Sequence, residues 1–181
     1  NRIDTFVTTT NTTQQTATQL GVIAGTSTSY AKVGGVIDVN STQVGNVGTG
    51  EDDLITYTIP ANVLNTDGDQ IRFRMAGTFA ANVNTKRVRI KYGATTLLDT
   101  MALAFNGADW TATGTIVRTG ATTQKAICEF ASGSALLTSS CDYTAPAETL
   151  SGTVVLKATG EATSNNDITE EFHVVEWIPN E

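Results

Sequence analysis

From Leu54 to Ile178 the chain alternates apolar and polar residues in short runs separated by turn residues, the period-two pattern of strands with one face in a core. In the run 70–79, Ile71, Phe73 and Met75 alternate with Arg72 and Arg74; in 86–92, Val88, Ile90 and Tyr92 alternate with Arg87, Arg89 and Lys91. Further runs fall at 54–59, 95–103, 110–118, 124–130, 153–159 and 168–178. Gly93-Ala94 and Thr119-Gly120-Ala121 each join two neighbouring runs, which predicts two hairpins. Nothing in this stretch has a helical period. The pattern predicts an all-β, eight-stranded antiparallel β-sandwich of jelly-roll type, with two four-stranded sheets packed face to face. An immunoglobulin-like sandwich fits less well, because no pair of cysteines brackets a central Trp.

Residues 1–50 have a different texture. Thr, Ser, Gln, Asn and Gly predominate, with only short apolar patches such as Phe6-Val7 and Val36-Ile37. Such a segment buries too little apolar surface alone to offset its ordering entropy. The expected organisation is therefore an extended Thr/Ser/Gly-rich arm over 1–50 that makes contacts between subunits, and a sandwich domain over 51–181. Gly45, Gly48 and Gly50 are expected to hinge the two.

Composition narrows the partners. Thr is the commonest residue and charged residues make up only 16%, so the polar surface rests on hydroxyls, and β-branched Thr suits a pleated sheet. A net charge of −7 gives no basic field to capture nucleic acid or an anionic membrane, and neither partner is expected.

The residues that could carry chemistry are few. The single histidine, His173, lies inside the last run between Phe172 and Val174, and reads as a packed side chain. A triad needs its base oriented by a third group near a nucleophile, so no catalytic residues and no enzyme activity are expected. Cys128 and Cys141 read as separate thiols, and with one His they lack the close ligand pairs of a structural zinc site. Asn65-Thr66-Asp67-Gly68-Asp69 looks like part of a calcium loop, but Val63 stands where the first carboxylate belongs, so it reads as a turn. No metal or cofactor is expected.

Three clusters remain. The acidic groups Glu51-Asp52-Asp53, Asn165-Asn166-Asp167 and Glu170-Glu171 read as solvated carboxylates at strand entries that can pair with the basic strand faces. Lys86, Arg87, Arg89 and Lys91 form a basic stripe without interleaved aromatics, a poor platform for single-stranded nucleic acid and a candidate salt-bridged subunit contact. Trp110 and Tyr143 flank loops and could offer aromatic faces to a sugar.

One pattern carries a resemblance. Gln43-Val44-Gly45-Asn46-Val47-Gly48-Thr49-Gly50-Glu51-Asp52-Asp53-Leu54, Ile59-Pro60-Ala61-Asn62, Gly77-Thr78-Phe79-Ala80-Ala81-Asn82, Arg118-Thr119-Gly120-Ala121-Thr122-Thr123-Gln124 and Asn166-Asp167-Ile168 resemble a family of phage and prophage virion proteins. The resemblance spans roughly residues 42–179 and covers tail-fibre, receptor-binding and head-decoration proteins. It implies a non-catalytic structural component of the virion, assembled in the host cytoplasm, and carries no catalytic residue set. With the polar arm it suggests a homo-oligomer, a trimer, that contacts major capsid or tail subunits. Capsid decoration is placed before a tail or head fibre, since an arm suits a close-packed lattice. The competing class is a carbohydrate-binding β-sandwich module with host surface glycan as ligand, which requires an exposed platform at Trp110 or Tyr143.

Overall fold

The computed structural model describes Gly34–Asn180. Residues 1–33, the greater part of the expected arm, lie outside the described residues.

All regular structure among the described residues is antiparallel β. The strands are β1 (Gly35–Asn40), β2 (Val44–Gly45), β3 (Glu51–Ile59), β4 (Gln70–Phe79), β5 (Lys86–Tyr92), β6 (Thr95–Asp99), β7 (Asp109–Gly120), β8 (Thr123–Ser132), β9 (Ser139–Thr144), β10 (Val154–Ala162) and β11 (Ile168–Ile178). They form a long sheet in the order β1-β11-β4-β7-β8-β9, with β2 paired to β11, and a short sheet in the order β3-β10-β5-β6. The orders β1-β11-β4-β7 and β3-β10-β5-β6 are the two interleaved four-strand layers of a jelly roll. β8 and β9 extend the long layer beyond them.

The sandwich is the expected one, but its membership differs. The first jelly-roll strand is β1, which the polar texture assigns to the arm, while the run at 124–130 becomes part of the extension. Pairing of β1 and β2 with β11 moves the start of the domain from Glu51 back to Gly34. β1 escapes a pattern search because a bulge between Val36 and Asp38 breaks its alternation and leaves both Val36 and Val39 exposed. The Gly45–Gly50 stretch is no hinge: Asn46 is fully buried, its Oδ1 accepts the Ile168 N–H, and its amide donates to Ser164 O.

The two sheets close over a core that runs from Ile71, Phe73 and Met75 on β4 to Val88, Ile90 and Tyr92 on β5. One end is aromatic: Phe79 stacks on Phe105 at 4.3 Å, and Trp110 lies over Phe130 at 6.1 Å. Gly77 makes room for that indole. A Cβ there would stand 2.7 Å from the Trp110 ring and 1.8 Å from the Thr169 carbonyl.

Cys128 is buried on β8 while Cys141 is exposed on β9, and both thiols are free. Burial pushes the Cys128 thiol up to about 12, so it is protonated and shielded at ordinary pH. A disulfide reagent at about pH 8 is expected to titrate Cys141 at once and Cys128 only after denaturant is added. Two fast thiols in native protein would contradict this packing.

Candidate functional site

The expected basic stripe is split by the pleat of β5. Arg87, Arg89 and Lys91 project from the outer face of the short sheet, while Lys86 is completely buried. Its ammonium donates to Asn82 Oδ1 at 2.8 Å and to the carbonyls of Asn82, Asn84 and Phe105 at 3.2, 3.0 and 2.7 Å. Burial lowers its pKa, with the Asp167 charge opposing that fall. Lys86 is therefore a fastening inside the domain and is withdrawn as a subunit contact.

The other three cations are satisfied by neighbours on the same sheet. Arg87 pairs with Asp99; Arg89 reaches Glu51 at 2.9 Å and Glu161 at 2.8 Å; Lys91 reaches Glu51 at 2.6 Å. Lys157 meets Asp53 at 2.6 Å. Burial raises Glu51, but hydrogen bonds from Lys91 and Thr159 and the charge of Arg89 outweigh it, so its carboxyl sits below the ordinary value. The Arg87 hydrogen bond holds Asp99 below its ordinary value too. Four cations and four carboxylates thus cancel across this face. It offers a partner little net charge.

Acidic residues near the other end of the strands serve the chain itself. Asp167 Oδ1 accepts the Asn82 side-chain amide at 2.6 Å, and its Oδ2 accepts the Asn84 amide and the Ser164 N–H, both at 2.9 Å. Burial raises Asp167, and these hydrogen bonds more than reverse the effect, leaving its pKa lowered. Asp69 closes the 65–69 turn by accepting the N–H groups of Asn65 and Thr66. Glu170 is not a solvated carboxylate as the sequence suggests: it is buried on β11, accepts the Ile55 N–H at 2.9 Å, and burial pushes its pKa up to about 8. His173 is buried too, bonded through Nε2 to Asp38 on β1.

Of the two aromatic candidates, Trp110 is 2% exposed and belongs to the core, so it offers no face to a sugar. β7 begins one residue before it, and the pleat turns the indole inward, whereas the sequence reads it as the first residue of a run, flanking a loop. Tyr143 is 64% exposed on β9.

The outer face of the long sheet gathers side chains that no single run of the sequence brings together. Strand register lays two rows of side chains across it. One row runs Glu176, Arg72, Thr115, Ile127, Tyr143, and the next runs Val174, Arg74, Thr113, Glu129, Cys141. Two shallow hollows of about 480 and 510 Å³ lie along these rows and share Thr113 and Glu129. Arg72 makes only a 3.4 Å contact with Gln70 Oε1, and Arg74, Glu129 and Glu176 make no ion pair among the described residues. This contrasts with the neutralised short sheet. The alternation of 70–79 exposes Arg72 and Arg74, but only the pairing of β4 with β7 and β11 brings them beside Glu129 and Glu176. A bulge between Glu170 and Phe172 then decides which β11 side chains face outward.

No protein-family model matches the chain, and no curated protein matches it. Among solved structures, the CBM2 module of the Lactobacillus casei BL23 phage J-1 evolved Dit is similar over 70% of this chain and 69% of its own, with 13% identity and a TM-score of 0.34. A likeness of that size fixes neither ancestry nor ligand.

Proposed function

We propose that this chain is a non-catalytic structural component of a bacteriophage particle that works by attachment through the outer face of its long sheet. The observation that carries the reading is how its ionisable groups are distributed. Carboxylates that stand close together are salt-bridged or sealed in the sandwich, and the two on the outer face of the long sheet, Glu129 and Glu176, stand apart. Glu129 and Glu176 are separated by three strand spacings, about 14 Å. A glycosidase needs its two carboxyls roughly 5 to 9.5 Å apart. His173 is closed off from any substrate. Placement on a phage particle is supported by the virion-like stretches and by the hydroxyl-rich segment ahead of β1.

The long-sheet face bears on the station within the particle. Charged residues are depleted from the buried centres of protein interfaces because an unpaired charge loses its hydration there. Packing this face against a capsid subunit would bury Arg74, Glu129 and Glu176 unless the partner supplied matching ions. The reading that follows from this cost is a subunit whose long-sheet face points outward, with the expected trimer built through other surfaces. Antibody raised against the chain, applied with gold to purified phage, is expected to decorate intact particles, and light scattering on the pure protein is expected to give three times the chain mass. Particles free of label would sink the assignment to the virion. A monomer at all concentrations would remove the trimer alone.

A further inference from the structure

We infer that the outer face of the long sheet is a binding site for a neutral oligosaccharide, an inference that rests on the reading of this face as the attachment surface. Donors and acceptors alternate across it: the guanidiniums of Arg72 and Arg74 donate, and the carboxylates of Glu129 and Glu176 accept. Hydroxyls of Thr113 and Thr115 lie between them on β7. A sugar hydroxyl both donates and accepts, so vicinal hydroxyl pairs can satisfy both kinds of charge at once through charge-assisted bonds. A flat apolar partner would leave these ions unpaired. The two carboxylates of the trough offset its two guanidiniums, so an acidic glycan gains no net attraction there from a protein whose net charge is −7.

The edge of the trough supplies the apolar element that sugar rings need. Tyr143 on β9 is directly opposite Ile127 on β8, and the two are 64% and 45% exposed. Together they form a platform for the C–H face of a pyranose, with the phenol hydroxyl free at its rim. From β9 to β11 the trough crosses four strand spacings, about 19 Å, which suits a short chain of sugars lying across the strands. The hollows fall in the size range of small-ligand sites, about 300 to 1,000 Å³ each. All strands that carry the site are ladder-paired, so the arrangement is built before the ligand arrives and little ordering entropy opposes binding.

Cys141 gives the site a built-in reporter, because it lies in the second hollow beside Glu129. The test uses the full chain on an array of uncharged oligosaccharides of glucose, galactose and N-acetylhexosamines, with sialylated and sulfated glycans as the counter-set. Hits are then titrated against wild type, Arg74→Ala, Glu129→Gln and Tyr143→Ala, with thermal unfolding as the folding control. Each variant is expected to bind roughly tenfold or more weakly, with the unfolding midpoint unchanged, and a bound glycan is expected to slow alkylation of Cys141. Unaltered binding in all three variants, a preference for the acidic set, or no binding at all would overturn the inference. Gold-labelled particles with no glycan binding would leave the virion reading standing without this ligand. Glycan binding with unlabelled particles would do the reverse.

Discussion

Lys86→Met is expected to lower stability by about 3–5 kcal/mol, while Lys91→Met costs less than ~1 kcal/mol. Both lysines sit on β5 and differ only in which face of the pleat they occupy. The Lys91 ammonium is partly solvated and shares Glu51 with Arg89, so the pair is screened and its loss is compensated. The Lys86 ammonium has no solvent at all. Its four oxygen acceptors come from two separate connections, β4 to β5 for Asn82 and Asn84, and β6 to β7 for Phe105. Methionine fills the channel occupied by the stem but leaves three carbonyls without a donor, each costing about 1–3 kcal/mol when buried. The loss spreads, because Asn82 also donates to Asp167, which fixes the β10 to β11 turn through Ser164. Arginine is no substitute, since a planar fork cannot meet acceptors arranged around a tetrahedral ammonium. Urea unfolding of the two variants checks this, and equal midpoints for both would show that the buried cage carries no weight.

That cage also explains what the sequence could and could not reveal. The runs at 70–79, 86–92 and 168–178 match β4, β5 and β11 in both bounds; β4 and β5 alternate apolar and charged residues, while the buried face of β11 mixes Ile168 and Val175 with Glu170 and His173. β9 was invisible: Ser-Ser-Cys-Asp-Tyr-Thr pairs with β8 at the sheet edge and carries no buried stripe of its own. β1 was hidden by its bulge. Alternation marks a strand only to the extent that one of its faces is buried. The same limit governs the site. Asn46, Asn82 and Asp167 stand within the stretches that carry the virion resemblance, yet in the fold they tie loops together at one end of the sandwich. The charges of the long sheet that make no ion pair among the described residues lie on β4, β8 and β11, brought together by pairings that no local spacing encodes. Lys86 reads as one member of a basic stripe until the register turns it inward. A strand residue's chemistry is set by its neighbours across the ladder, and those neighbours are distant in sequence.

Glu170→Gln is expected to stabilise the protein by about 2–4 kcal/mol at pH 8 and to leave it nearly unchanged at about pH 5. Two bulges create the environment, one on β11 just after Glu170 and one where β3 passes Lys157 and Thr159 of β10. They bring the carboxyl of one sheet against the backbone of the other, where Oε2 accepts the Ile55 N–H and Oε1 has no partner. No cation pairs with it among the described residues, so burial dominates and raises the pKa from 4.5 to about 8. Between those values the unfolded chain has released the proton and the folded one retains it. Stability must then fall as pH rises, by up to ~1.4 kcal/mol per unit, until the folded carboxyl ionises near 8. Asp99 and Asp167 act at the other end, since their lowered pKa values contribute stability above about pH 4 that is lost as acid protonates them. Wild type is therefore most stable near pH 5. Glutamine keeps an acceptor for Ile55 and cannot ionise, so the variant loses the downward limb and keeps the acid one. Urea midpoints across pH 4 to 9 with a constant m-value measure both limbs. Parallel curves for wild type and variant above pH 5 would mean that Glu170 is charged in the fold, and that the two bulges admit water where the sandwich is drawn closed.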